Sequence, residues 1–293
     1  MDAPELIIDT PEAGIATFVL NRPAELNAWT YTLEETFFAA LDSAAGDPAV
    51  RVVVVTGAGR GFCAGASMRL LSDGDRSRRP DRARRRRLCE LAEFPKPVIA
   101  AVNGPAAGLG FALAVSCDIR FAAADAKLTT SFARLGLVAE HGVAWLLPRL
   151  VGGARARVLL LSGRTVTGAE AESMGLVNRA VTGPGTLAEA LAYARMLVES
   201  GCPASWAAIK RQLLDADHLT LPEAYEQAAD LMEPALASAD HREGVQAFRE
   251  RRPPRFRAAR WRWPVIARSA ASATCYPGAF DVVNRSMAAA EAL

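Results

Sequence analysis

The sequence predicts an α/β fold, and three features of its patterning carry that expectation. Short apolar runs bounded by turn residues alternate with stretches of helical periodicity as far as about residue 140. The run 52–55 is four consecutive valines, the signature of a strand buried on both faces rather than one. Beyond residue 140 the alternation gives way to successive helical stretches separated by Gly or Pro.

Taken in order, strands are expected within 15–23 (IATFVLNRP), 50–59 (VRVVVVTGAG), 96–104 (KPVIAAVNG) and 118–130 (DIRFAAADAKLTT). A helix is expected over 32–47, with Thr32 and Glu35 spaced as a capping box. The stretch 108–118 (GLGFALAVSCD) is apolar nearly all round, which for a helix means burial on every side. Residues 1–195 read as an α/β core, 196–257 as a helical region for oligomer contacts or a lid, and 258–293 as an atypical, disordered tail.

Composition limits the function classes. Of 293 residues, 51% are hydrophobic and 23% charged, with a net charge of +2, an ordinary balance for a soluble globular chain. That charge is too small to argue for a nucleic-acid or membrane-surface partner, and neither is expected, although 75–87 concentrates eight arginines. The arginine run reads as a solvated loop or, alternatively, as an anion site. Five cysteines are scattered without a CxxC pair, so no zinc site or disulfide framework is expected. With neither a signal peptide nor a long apolar run in the sequence, a cytoplasmic protein is expected.

Two glycine-rich loops follow expected strands: TGAGRGFCAGASM (56–68) and NGPAAGLGFAL (103–113). Glycine lets backbone approach a ligand closely, and a helix N-terminus offers N–H donors with a favourable dipole. One N–H from each loop would make an oxyanion hole, in which a single donor is worth about 3 kcal/mol. The alternative is a pair of tight strand-to-helix connections. Neither loop has the spacing of a dinucleotide fingerprint, a phosphate loop or a nucleophile elbow. The third feature is the adjacent pair Glu140 and His141 within apolar SFARLGLVAEHGVAW (131–145), either a surface turn or a general acid/base between apolar walls.

Six blocks in order resemble the enoyl-CoA hydratase/isomerase (crotonase) family: NRPAELNAW (21–29), VVVTGAGRGFCAGASM (53–68), KPVIAAVNGPAAGLGFALAVSCDIRFAA (96–123), LGLVAEHGVAWLLPRLVG (135–152), GLVNRAV (175–181) and DHREGVQAFRERR (240–252). The resemblance covers about residues 5–257. It implies a crotonase-like spiral of ββα units with a C-terminal helical trimerisation region, assembled as a homo-trimer or a hexamer. It also implies an acyl-CoA thioester substrate, with coenzyme A as part of the substrate and no separate cofactor or metal. The thioester oxygen is then expected between the amides of Ala66 and Leu109. Ala24, Leu26, Ala64, Ser67, Met68 and Arg69 match the CoA-binding stretches, while Phe248 and Arg251 match residues that reach CoA, often from a neighbouring subunit. Phe132, with Leu70 and Trp145, is placed to shape the acyl pocket.

The departures from the family pattern are informative. The two glutamates with which hydratases activate water fall at Ala112 and Phe132, and neither side chain exchanges a proton. Glu140 matches the position of a single catalytic aspartate in some isomerases of the family. The resemblance therefore implies an enzyme in which Glu140, with His141 orienting it or acting as a second acid/base, moves a proton on a thioester enolate. Isomerisation is favoured over hydration. Hydration, C–C or ring cleavage of a CoA thioester, and a non-catalytic acyl-CoA binding protein stand as alternatives.

Overall fold

The computed structural model describes residues 3–72 and 85–258. Strands β1 (Leu6–Glu12) and β2 (Ile15–Leu20) form an antiparallel hairpin that turns at Gly14, whose φ of 85° suits glycine. A 3₁₀ turn, Pro23–Glu25, leads to helix α1 (Tyr31–Gly46), strand β3 (Val52–Gly57) and the short α2 (Met68–Ser72). After a 3₁₀ helix at Leu88–Glu93 come β4 (Val98–Val102), β5 (Ala106–Ala107) and α3 (Leu109–Ser116). Next are β6 (Ile119–Ala123), β7 (Lys127–Thr129), a 3₁₀ turn at Ala133–Leu135, α4 (Val143–Val151) and α5 (Gly153–Ser162). The chain continues through β8 (Val166–Thr167), α6 (Gly168–Ser173), β9 (Arg179–Val181), α7 (Thr186–Ser200), α8 (Pro203–Asp215), α9 (Leu221–Ala237) and α10 (Ala239–Glu250).

A six-stranded sheet runs in the order β1-β2-β3-β4-β6-β9, parallel throughout except for the β1–β2 pair. A smaller sheet, β5-β7-β8, takes the short strands that follow β4 and β6, with β8 antiparallel to β7. The chain thus alternates sheets: β4 then β5 then α3, β6 then β7 then α4 and α5. This is the α/β spiral of repeated units.

The valine run behaves as its composition requires. Val53 and Val55 face one core with Phe18, Val98, Ala100 and α1, while Val52 and Val54 face a second with Ile15, Ile99 and α7. Period-two alternation along a strand covered on both faces explains why no polar residue interrupts it. All eight residues of α3 are buried, as its unbroken apolar sequence implies. In α1, Phe37 meets Trp29 and Phe18 edge-on at centroid distances of 5.5 and 6.0 Å, and Phe38 lies beside it.

Several sequence expectations are corrected. Helix α1 is capped by Thr30, whose hydroxyl accepts the Leu33 N–H, and not by Thr32. The capping box chosen from spacing lies two residues inside the helix because Thr30 is the residue still in extended backbone. The stretch 118–130 is two strands in different sheets, split by a turn at 124–126. The boundary between 195 and 196 falls inside α7, which stays on the large sheet to its end at Ser200. Most of the arginine run, and nearly all of the 258–293 tail, lie outside the described residues.

Helices α8 to α10 carry exposed Leu213, Leu221, Tyr225, Leu231, Met232, Leu236 and Val245. Lys210 ties α8 to the core by donating to Asp118 at 2.6 Å and to the Lys96 carbonyl at 3.1 Å. Among the described residues no helix is long and apolar enough to cross a membrane.

One buried cation holds the end of α1. The Nζ of Lys96, 2% exposed, donates to the carbonyls of Ala44, Asp47 and Val50 at 2.5, 2.7 and 2.7 Å. Burial draws its pKa down to about 8, opposed by the charge of Asp47. Replacing it leaves these acceptors without their donor at the negative end of the helix dipole. Lys96→Met is expected to lower unfolding free energy by about 2–4 kcal/mol at neutral pH in urea titration.

Candidate active site

The two glycine-rich loops are joined by main-chain hydrogen bonds. Pro105 O accepts the N–H groups of Phe62 and Cys63 at 3.2 and 3.1 Å, and Ala107 N–H donates to Cys63 O at 3.0 Å. Two side-chain amides brace them. Asn103 Nδ2 donates to the carbonyls of Gly57 and Gly59, and buried Asn27 Nδ2 donates to those of Ala58 and Gly61. Both asparagines fall within the motifs NRPAELNAW and NGPAAGLGFAL, and neither has a role there from sequence alone. A polar amide inside an apolar block was the available signal.

Ala66 is held from one side by Trp29. The Trp29 N–H donates to Gly65 O at 2.7 Å, and Ser67 N–H donates to Trp29 O at 2.9 Å, a parallel bridge centred on Ala66. Because successive amides in extended backbone point to opposite sides, the Ala66 N–H faces away from Trp29. Leu109 opens α3 and has the first-turn N–H that a helix leaves unused. Neither amide donates to a backbone or side-chain acceptor among the described residues. The two segments touch closely. A Cβ added to Gly65 would lie 2.8 Å from Ala107 O and 3.6 Å from Leu109 N, and φ at Gly65 is 98°. Only glycine lets residue 66 come this near to the start of α3.

Glu140 and His141 precede α4. His141 and Gly142 both have left-handed backbone, φ 52° and 78°, and Gly142 comes so near Cys89 that a Cβ would lie 2.8 Å from that of the cysteine. The imidazole is not on the surface. Its side chain is 6% exposed against 42% for Glu140, and its Nδ1 accepts the Leu88 N–H at 3.1 Å. Nε2 then lies 3.9 Å from Glu140 Oε2. Leu88 begins the 3₁₀ helix that packs on α3, and α4 packs on α3 as well. The acid–imidazole pair and the Leu109 amide are thus carried by elements built around one helix.

The positions of the two missing glutamates are apolar interior. Ala112 and Phe132 are buried in one core cluster with Leu109, and half-buried Ala66 and Ala139 pack on it. Of the remaining expected residues, Ala64 donates its N–H to Leu26 O at 3.0 Å, and buried Ser67 accepts the Leu70 N–H at 3.3 Å. Ala24, Met68 and Arg69 are exposed beside them in sequence. Leu70 and Trp145 are half-buried, the latter with the Arg149 guanidinium 3.6 Å above its ring. Phe248, 85% exposed, and exposed Arg251 end α10 and take no part in the cluster that holds Ala66 and Leu109. The side chain of Cys63, within the first of the two loops, is fully buried, and burial pushes its thiol up to about 12. Among the described residues no three His, Cys, Asp or Glu side chains cluster as metal ligands.

The profile of the family described as "Enoyl-CoA hydratase/isomerase" matches residues 10–259. The chain is 36% identical to a 1,2-epoxyphenylacetyl-CoA isomerase of Escherichia coli over 258 residues, covering 86% of this chain and 98% of that one. It is 38% identical to a probable enoyl-CoA hydratase of Rhodobacter capsulatus, covering 83% and 94%. The crystal structure of a probable enoyl-CoA hydratase/isomerase from Mycobacterium abscessus superposes with a TM-score of 0.79 at 33% identity, covering 87% of this chain and 99% of that chain.

Adding a methyl group at the junction of the loops tests its closeness. Gly65→Ala is expected to lower unfolding free energy by about 1–3 kcal/mol and to open the buried Cys63 thiol to a disulfide reagent. Unchanged melting and an unreactive Cys63 would show that the loops do not meet there.

Proposed function

Because the chain belongs to the enoyl-CoA hydratase/isomerase family, we propose that it catalyses a proton shift on an unsaturated acyl-CoA thioester, with Glu140 as the only acid/base. The thioester carbonyl lies between the N–H groups of Ala66 and Leu109. The Glu140 carboxylate removes a proton from C2 of a 3-enoyl thioester, the C–H electron pair becomes a C1–C2 double bond, and the carbonyl pair moves onto oxygen, in conjugation with the C3–C4 double bond. The two amides and the positive end of α3 stabilise that dienolate. The acid formed at Glu140 returns the proton to C4, the double bond is left at C2–C3, and the carboxylate is regenerated. No water is consumed and no group leaves.

The observation that carries this reading is the distribution of carboxylates. Hydration in the family's two-acid manner needs carboxylates at the positions of Ala112 and Phe132, and both are apolar and buried here. Glu140 keeps a half-exposed carboxylate at the start of α4, beside a buried imidazole. One acid suffices for a proton moved between two carbons of the same substrate. An isomerase among the relatives of this chain is consistent with it.

Binding of the CoA portion follows the matched segments. Ala24, Leu26, Ala64, Ser67, Met68 and Arg69 lie along its path. Phe248 and Arg251, which lie outside the core cluster that holds the donor pair in their own chain, serve the site of a neighbouring copy in a trimer or dimer of trimers.

Parent protein is assayed on 2-enoyl, 3-enoyl and ring-bearing acyl-CoA thioesters, with products read by mass and NMR. The expected product has the mass of the substrate and a moved double bond. A mass gain of one water shows hydration, and a smaller acyl fragment shows cleavage. Glu140→Gln is expected to lower kcat by about 10²–10⁴ with CoA-ester affinity retained. Unchanged turnover in that variant excludes Glu140 as the base. Arg251→Ala is expected to raise KM about three- to tenfold for CoA esters and to leave esters lacking the CoA 3′-phosphate unaffected.

A further inference from the structure

The structure assigns to His141 the part of a positioning residue: a neutral imidazole, locked by the Leu88 N–H, that turns its remaining N–H toward the Glu140 carboxylate. This rests on the reading of Glu140 as the acid/base and goes beyond it by fixing what its neighbour does.

The tautomer follows from the partner. A main-chain N–H is always a donor, so Nδ1 of His141, 3.1 Å from Leu88 N, must present its lone pair. The ring proton of the neutral form therefore sits on Nε2, the atom that lies 3.9 Å from Glu140 Oε2. That separation exceeds a hydrogen bond, so the contact is the attraction of an N–H dipole for a charge, effective because the ring is buried. Protonating Nδ1 would set N–H against N–H and cost the Leu88 bond. His141 is consequently not a second base, and the proton stays with Glu140.

The imidazole is also fixed at its root. Left-handed backbone at His141 and Gly142, with Gly142 against Cys89, presses the turn onto the 3₁₀ helix at Leu88–Glu93. Glu140 reaches its carboxylate through three side-chain torsions, and that carboxylate is half-exposed. A rigid donor on one side of it narrows the directions in which the carboxylate is found. A displacement of about 1 Å at a reacting group can cost about a hundredfold in rate.

Two replacements separate the halves of this arrangement. Asn tolerates left-handed backbone and places its amide oxygen near Nδ1, so His141→Asn keeps an acceptor for Leu88 and loses the donor toward Glu140. Gln extends an amide nitrogen to about the place of Nε2 and tests rescue. His141→Asn is expected to lower kcat at least about tenfold while KM for the enoyl-CoA ester changes less than about twofold, with His141→Gln recovering most of the loss. In a Glu140→Gln background the Asn substitution is expected to cost nothing more. An unchanged kcat in His141→Asn, or an undiminished loss in the Glu140→Gln background, overturns the assignment.

The ¹⁵N and ¹H signals of the His141 ring decide the matter independently of turnover, including the case in which no thioester reacts or the double variant is too slow to follow. The expected pattern is the Nε2–H tautomer at neutral pH, with Nε2 shifted when Glu140 becomes Gln. A proton on Nδ1, or an Nε2 signal indifferent to residue 140, overturns it.

Discussion

The arrangement of the site depends on main-chain pairing between the loops that leave β3 and β4. Pro105 accepts from Phe62 and Cys63, Cys63 accepts from Ala107, and Trp29 clasps Ala66 from the other side. With these bonds made, the N–H of Ala66 and the first N–H of α3 are carried by segments in close contact and have no main-chain or side-chain acceptor among the described residues. The donors are backbone groups, so their placement follows from the register of the parallel sheet and not from any side-chain rotamer. A polarising site of this kind needs no reorganisation when charge develops beside it.

The sheet in turn is set by burial on two sides. Val52 to Val55, Ile99 and the alanines of β4 must satisfy α1 and α3 on one face and α7 on the other. A one-residue slip would exchange every contact between the two cores. The two glycine-rich loops inherit that register, and Lys96, Lys210 and Arg51 fasten the surrounding helices to it by hydrogen bonds to carbonyl oxygens. Precision at the donors and stability of the core are thus one property.

Much of this was legible in the residues themselves. The valine run announced a doubly covered strand, the apolar stretch after Gly108 a buried helix, and the glycines a close approach of main chain. Features that depend on distant partners were not. The hydroxyl that caps α1 is chosen by backbone conformation at Thr30, two residues from the best-spaced candidate. Strand β1 has an exposed face and an irregular register with β2 at Asp9 and Glu12, so it lacks the apolar run that marked the other strands. The carboxylates absent at 112 and 132 could be read only against a family pattern. That His141 turns inward to a main-chain N–H 53 residues away could not be read at all, because a His-Gly pair before a helix has the same spacing whether it faces water or a core.

Strand β1, with its irregular register, decides whether a further strand can add to the sheet. It is the margin of the large sheet, where unpaired backbone groups invite a second ladder, and it carries half-exposed Ile7 and Ile8. The break at Asp9 and Glu12, with the Glu12–Arg195 ion pair beside it, interrupts the run of evenly spaced donors and acceptors that an incoming strand would require. Fibre-like growth along this margin is thereby obstructed.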